Sequence, residues 1–184
     1  NGKIILDPNT GAPQPGTTYK DVGSGIDPVY AGITSEVRYK GFNLSFLIDG
    51  KFGGKIFSGT NWYAWGYGLN KETLAGRNLR YGTQQLYPQD YYNQVGTNDP
   101  EIFLYDASFI KLRQIILGYT FPPKIFNNKI QGLSLSLFAR NVFTIMKHTP
   151  NIDPESNYSN GPQGIEQAEV PYTRTFGVNL NVKF

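Results

Sequence analysis

The strongest pattern in the chain is at its downstream end, where apolar and polar residues alternate. Tyr172, Arg174, Phe176, Val178, Leu180, Val182 and Phe184 fall on one side, and Thr173, Thr175, Gly177, Asn179, Asn181 and Lys183 on the other. Successive side chains of an extended strand point to opposite faces, so a period of two predicts a strand with one apolar face over roughly residues 171–184. Four more strands are predicted, at roughly residues 31–39, 42–53, 107–121 and 133–143. In the second, Phe42, Leu44, Phe46 and Ile48 alternate with Asn43, Ser45 and Asp49, and Leu47 breaks the rule. In the third, Ile115, Leu117, Tyr119 and Phe121 oppose Gln114, Gly118 and Thr120, with Ile116 as the exception. Upstream in that strand Lys111 and Arg113 interleave with Ile110 and Leu112, and the pattern assigns no face. In the fourth, Leu133, Leu135 and Leu137 oppose Ser134 and Ser136. No long amphipathic helix is predicted.

The connections alternate in length. Lys40-Gly41 reads as a tight hairpin turn, because Gly accepts positive φ. Residues 122–132 form a second short link, which Pro122-Pro123 opens by ending the strand. The stretches up to residue 30, over 54–106 and over 147–170 are long. Short turns at one end of a sheet and long loops at the other are the mark of an outer-membrane barrel, with the short turns periplasmic. Counting strands back from Phe184 puts both short turns at the periplasmic end and all three long segments outside. Tyr39, Phe42, Tyr119, Phe121, Phe126 and Phe184 gather at that same end, as an interfacial aromatic girdle does. A sheet in lipid must close on itself, because an open edge leaves unpaired backbone groups in hydrocarbon. Five strands do not close an even-numbered barrel. The expected class is therefore all-β: about five antiparallel strands of a large transmembrane β-barrel with long extracellular loops. The chain, which begins at Asn1 with no leader pattern, is expected to be a fragment or a processed product.

Composition supports this picture. No apolar run approaches the ~20 residues of a membrane-spanning helix. Aromatic residues are 15% of the chain and charged residues only 17%, against the ~25% charged of ordinary soluble domains, which suits an interface with lipid. There is no Cys, so disulfides and thiol chemistry are excluded. A net charge of +3, scattered along the chain, gives no footprint for nucleic acid. The competing class is a soluble carbohydrate-binding β-sandwich, whose strands alternate in the same way. Loops of about 50 and about 24 residues are unusual in a compact sandwich.

Catalytic chemistry has little support. The single His148 lies at the start of a long connection without a nucleophile pattern around it. Asp49 is a lone carboxylate expected to face a polar lumen, and without a partner it does no acid–base work. Asp99, Glu101, Asp153 and Glu155 are the oxygen donors a Ca²⁺ ion would use, but they lack EF-hand spacing and two precede proline in turn-forming pairs. No metal or cofactor is assigned. Both tryptophans lie in the longest connection, in Trp62, Tyr63, Trp65 and Tyr67, followed by Tyr91 and Tyr92. These six are the candidate contacts for a substrate, whose rings they would stack on, or for a protein lid; packing within the loop is the plainer alternative. Phe176, Val178, Leu180, Val182 and Phe184 are the candidate lipid-facing and assembly residues. Arg38, Lys111, Arg113, Arg140 and Arg174 are expected at the lumen or the outer rim, since Arg or Lys on the lipid face at mid-membrane costs about 2–4 kcal/mol.

Several segments resemble one family in its own order. Tyr39-Lys40-Gly41-Phe42-Asn43-Leu44-Ser45 resembles a hairpin of SusC/RagA-type TonB-dependent transporters. Asp106-Ala107-Ser108-Phe109-Ile110-Lys111-Leu112-Arg113, with Leu117-Gly118-Tyr119-Thr120-Phe121-Pro122, resembles a later strand. Phe138-Ala139-Arg140-Asn141-Val142-Phe143-Thr144, Asp153-Pro154-Glu155, Pro171-Tyr172-Thr173-Arg174-Thr175-Phe176 and the final Phe184 resemble the segments that follow. The resemblance runs from about Pro28 onward. It implies the C-terminal segment, spanning residues 1–184, of a plugged barrel of about 22 strands in the outer membrane of Bacteroidota. It implies import of oligosaccharides, or in some members peptides, with energy delivered through TonB and a SusD-like surface lipoprotein as a lid. The plug and most of the barrel would lie outside this chain. The last strand would close the barrel, with Phe184 as its assembly signal.

Overall fold

A computed structural model describes residues 4–74, 88–126, 130–156 and 162–183. In chain order the elements are β1 (Val29–Tyr39), β2 (Phe42–Phe52), β3 (Lys55–Ser58), α1 (Gly59–Gly66), α2 (Pro88–Asn98), β4 (Leu104–Asp106), β5 (Phe109–Phe121), β6 (Gly132–Lys147), β7 (Ile165–Glu166) and β8 (Thr175–Lys183). Short 3₁₀ turns lie at Lys71–Thr73, Pro100–Phe103 and Pro123–Phe126. The chain divides into two compact units, each assembled from separate stretches. One is made of Asp27–Gly53, Ser108–His148 and Pro171–Phe184; the other of Asn1–Ile26, Gly54–Ala107 and Thr149–Val170.

The first unit is a five-stranded antiparallel meander in the order β1-β2-β5-β6-β8. Its register lines the alternating residues into rows. Val37, Leu44, Leu117, Leu137 and Val178 form one row across all five strands. Tyr39, Phe42, Tyr119, Leu135 and Leu180 form the next. On the opposite face the corresponding row is Arg38, Asn43, Gly118, Ser136 and Asn179. One face is therefore apolar from edge to edge and the other polar. Phe176, Val178 and Leu180 are 72%, 65% and 60% exposed, so no second sheet among the described residues covers them and the β-sandwich is set aside.

The polar face carries a limited apolar exception. Ile116 and Phe138 are register partners on it, and Leu47 sits one row away opposite Gln114. The Phe138 ring lies over Gly177, where an added Cβ would come within 2.3 Å of it. Only glycine lets the ring cover the backbone there, an aromatic filling the space a side chain would take.

The Lys40-Gly41 turn has positive φ at both residues, 46° and 87°, the type I′ geometry that matches strand twist. The Gly41 carbonyl accepts from the Thr120 amide at 2.8 Å, extending the ladder around the turn. Phe42 and Tyr119 rings are 4.6 Å apart, Tyr119 and Phe121 4.8 Å, and Phe121 and Phe126 6.4 Å, so these four aromatics cluster at this end of the sheet. Phe184 lies outside the described residues. The chain leaves for both long connections at the opposite end, after β2 and after β6.

Several boundaries differ from the sequence pattern. Arg113 is an extra residue on β5: Leu47 pairs with Gln114 but Ile48 pairs with Leu112. This bulge inverts the alternation and explains why the pattern assigned no face upstream. β6 runs to Lys147, four residues past the predicted end, through a second irregularity where Asn141 takes φ 51°. β8 starts only at Thr175, so Arg174 lies before the ladder although the alternation continues through it.

The second unit holds a three-stranded sheet in the order β4-β3-β7, antiparallel between β3 and β4 and parallel between β3 and β7. Its core packs Ile56, Ala107 and Ile152 with Tyr105 against them. Residues 54–106, expected to form one very long connection without a long amphipathic helix, contain the short elements β3, α1, α2 and β4. The helices are short and rich in Gly, Thr and Asn, so they carry no amphipathic signature to read.

Candidate functional site

The aromatic residues singled out in the sequence are brought together by two helices. α1 follows β3 directly, and Ser58 caps it by accepting the Asn61 amide at 3.1 Å. A buried carboxylate finishes that end. Glu166 of β7, 1% exposed, accepts from the Ser58 hydroxyl at 2.9 Å and the Thr60 amide at 3.4 Å. It also accepts from the Thr60 hydroxyl and from the Glu169 amide at 3.2 Å. A negative group at a helix N-terminus is favoured by the exposed amides and the helix dipole. Asn61, also buried, donates to the Pro150 carbonyl and accepts from the Asn151 side chain, each at 3.1 Å. The connection after β6 is thus fastened to α1 at two places.

α2 opens on Pro88, with Asp90 in its first turn. It presents Gly96 to α1: a Cβ there would stand 2.6 Å from the Trp62 indole nitrogen. Trp65 is fixed from several sides. Its indole N–H donates to the Glu72 carboxylate at 3.0 Å, and it meets Tyr92 and Phe103 edge-on at 5.2 and 5.4 Å. Tyr92 donates to the Glu72 carbonyl at 3.3 Å and Tyr91 lies against it at 5.5 Å. Trp62 and Tyr63 touch at 4.9 Å. Tyr63 and Tyr67 are stacked, with planes 16° apart and centroids 6.5 Å apart, and both are exposed, at 48% and 69%. All six predicted aromatics thus belong to one cluster. Glu166, Asn61 and Glu72, which hold it, carry no sequence signal, because each gains its partners only through the fold. Burial, aided by the nearby Glu72 charge, pushes the Tyr105 phenol above its ordinary range; a hydrogen bond with Asn61 opposes this.

The cluster borders two clefts. One, of about 260 Å³, runs between Trp62, Tyr63, Tyr67 and Tyr92 and includes Asn93 and Thr97. The other, of about 400 Å³, shares Tyr67 and Tyr92 as a wall and includes Trp65 and Gln89. A third cleft of the same unit, about 650 Å³, has a different character, with Lys20, Asp21, Lys55, Asp99 and Glu101 in its lining. There burial, reinforced by the charge of Glu101, raises the Asp99 carboxyl above the usual carboxylate range.

The remaining candidates are placed as follows. Asp49 is not a lone carboxylate: it pairs with Arg113 at 2.5 Å, the bulged residue turning its guanidinium to the polar face. Arg38 pairs with Glu36 at 2.8 Å along the same strand face. Lys111 is buried, with its ammonium 5.0 Å from the Phe109 ring centroid and 5.8 Å from that of Tyr172. Arg140 lies over Phe138 at 5.4 Å. His148 is exposed just beyond β6. The Asp153 carboxylate accepts the Glu155 amide at 3.1 Å and its carbonyl accepts the Ser156 amide at 2.9 Å, so this segment is a turn. Among the described residues no group of three or more His, Asp or Glu side chains is gathered for a metal ion.

No family model matches the chain. Curated relatives do. TonB-dependent receptor P3 of Formosa agariphila is 25% identical over 177 residues, 90% of this chain and 17% of that protein. TonB-dependent receptor P39 of the same organism is 27% identical, over 89% of this chain and 17% of its own length. TonB-dependent receptor SusC of Bacteroides thetaiotaomicron is 25% identical over 85% of this chain and 15% of its length. The chain therefore spans about one sixth of the curated relatives it matches. Among solved structures, the RagAB peptide importer in its open-open state superposes with a TM-score of 0.72 at 22% identity, over 97% of this chain and 21% of that one. The closed-closed state gives the same TM-score at 20% identity. TonB-dependent receptors, SusC and RagA are outer-membrane proteins of Gram-negative bacteria. The chain is a partial homologue of these TonB-dependent receptors, and its five-stranded sheet has the fold of a segment of their outer-membrane barrel.

Proposed function

We propose that this chain is the C-terminal barrel segment of an outer-membrane nutrient importer that takes oligosaccharides and is driven through TonB. The observation that carries the reading is the sheet itself: one face apolar across all five strands and exposed, the other polar. A soluble domain would leave such a face in water; a barrel wall turns it to lipid and turns the polar face to the lumen. Phe176, Val178, Leu180 and Val182 are then lipid-facing residues of the last strand, and Phe184 its assembly residue. The girdle of Tyr39, Phe42, Tyr119, Phe121 and Phe126 marks the periplasmic interface, and both long connections then begin on the extracellular side.

In this reading the α1–α2 cluster belongs to extracellular loops and contacts substrate or a SusD-like lipoprotein. TonB acts through regions of the protein outside these 184 residues. The chain's role is transport rather than catalysis, in keeping with relatives that are receptors and transporters. The test is growth of a strain deleted for the whole transporter on a panel of glycans and peptides, with and without a functional TonB. Loss of growth on one glycan class, reproduced by removing TonB, is expected. Growth unchanged on every glycan, with a defect on peptides alone, overturns the glycan assignment.

A further inference from the structure

We infer that the cleft between α1 and α2 is a subsite for an uncharged sugar ring, stacked on Tyr63 and Tyr67 and hydrogen-bonded by Asn93 and Thr97. The inference rests on the import reading above and gives that site a ligand chemistry.

The six aromatics divide by what they touch. Trp62 is seated on Gly96, and Trp65, Tyr91 and Tyr92 are interlocked around Glu72 and Phe103. These hold the two helices together. Tyr63 and Tyr67 instead keep large exposed surfaces while lying nearly parallel. Rigid tyrosines of this kind offer wide amphipathic contact at small entropic cost. Cleft volume, aromatic walls and a few polar groups at one side are the usual make-up of a small-molecule site.

Charge decides the class of ligand. Among the described residues, no charged side chain lines either cleft beside Tyr67. Charged groups of the same unit line the separate, larger cleft instead. A carboxylate against the ring faces would meet the negative side of the aromatic quadrupole, without a counter-ion among the described residues of the lining, and would lose its water. A lone ammonium would be attracted to a ring by about 0.5–2 kcal/mol but finds no carboxylate among the described residues of the lining. A neutral pyranose presents weakly positive C–H groups to the rings and hydroxyls to the Asn93 amide and to the Thr97 oxygen, which accepts because its own proton goes to the Asn93 carbonyl at 2.9 Å.

The test uses the full-length protein that carries this segment, purified in detergent and titrated calorimetrically. The probes are neutral hexasaccharides of glucan, mannan, galactan and xylan, together with hexagalacturonate and trilysine. At least one neutral probe is expected to bind, with hexagalacturonate and trilysine silent. Tyr67→Ala, at an exposed residue, should weaken it about tenfold or more, equivalent to about 1.4 kcal/mol, while Tyr67→Phe stays within about threefold. Asn93→Asp is the second variant, placing a carboxylate in the cleft without removing a ring, and should weaken the neutral probe too. Neutral binding unchanged in both Tyr67→Ala and Asn93→Asp, or a charged probe binding while all neutral probes fail, overturns the subsite. Uptake by cells separates this from failure of the import reading: normal TonB-dependent uptake with unchanged binding in the variants sinks the subsite alone. Absence of TonB-dependent uptake of every neutral probe sinks both.

Discussion

At the scale of single residues, the groups that hold the site are those with no sequence signature. Glu166 sits between Ile165 and Gln167 with no motif around it, yet in the fold it is buried and accepts from Ser58, Thr60 and Glu169. Glu166→Ala should cost about 2–4 kcal/mol locally, because several donors lose their acceptor in a buried setting. Hydrogen exchange should show α1 amides losing protection while those of β5 and β6 keep theirs; equal protection in both proteins would deny Glu166 this role. Asp99 gives a prediction with a sign. Its folded carboxyl is raised above the ordinary value by burial and by Glu101, so the native state holds its proton more tightly than the unfolded chain. Stability from this group therefore falls as pH rises through its raised folded value. Asp99→Asn should leave stability unchanged at pH below the ordinary carboxylate range and increase it at neutral pH. An Asn variant less stable at neutral pH contradicts this. The six aromatics were legible as a group because composition concentrated them; which of them would be exposed was not, since that depends on Gly96 and Glu72, distant in sequence.

At the scale of elements, legibility followed periodicity. β2, the downstream half of β5 and β8 obey the period of two and lie where the pattern places them, apart from the start of β8. The upstream half of β5 was opaque because the Arg113 bulge shifts the alternation by one residue. Pro171, Tyr172, Thr173 and Arg174 continue the alternating pattern but make no ladder pairs, since pattern does not see where pairing stops. Both helices escaped notice for a different reason. α1 and α2 draw on poor helix formers and are fixed by caps and mutual packing, which no local window contains. The two faces of the sheet give an element-level prediction. Val178→Arg, on the apolar face, should destabilise the refolded protein in bilayers by about 2–4 kcal/mol. Asn179→Arg, its neighbour on the polar face, should cost less than about 1 kcal/mol. Denaturant titration of the full-length protein in liposomes measures both, and equal costs would contradict the face assignment.

At the scale of the whole molecule, the sheet and the comparisons agree. The meander, its exposed apolar face and its girdle are what one wall of a large barrel requires, and the relatives are barrel-forming receptors. The chain spans about one sixth of those relatives, which fits a wall segment of a larger closed structure. The most direct test is spin-label accessibility along β8 in the full-length protein reconstituted in lipid. Labels are placed singly from Phe176 to Val182, and collision with oxygen, which concentrates in the bilayer, is compared with a water-soluble nickel chelate. The account predicts a period of two, with oxygen access highest at positions 176, 178, 180 and 182 and the chelate favouring 177, 179 and 181. Uniform access along the strand, or oxygen maxima at the odd positions, would contradict it.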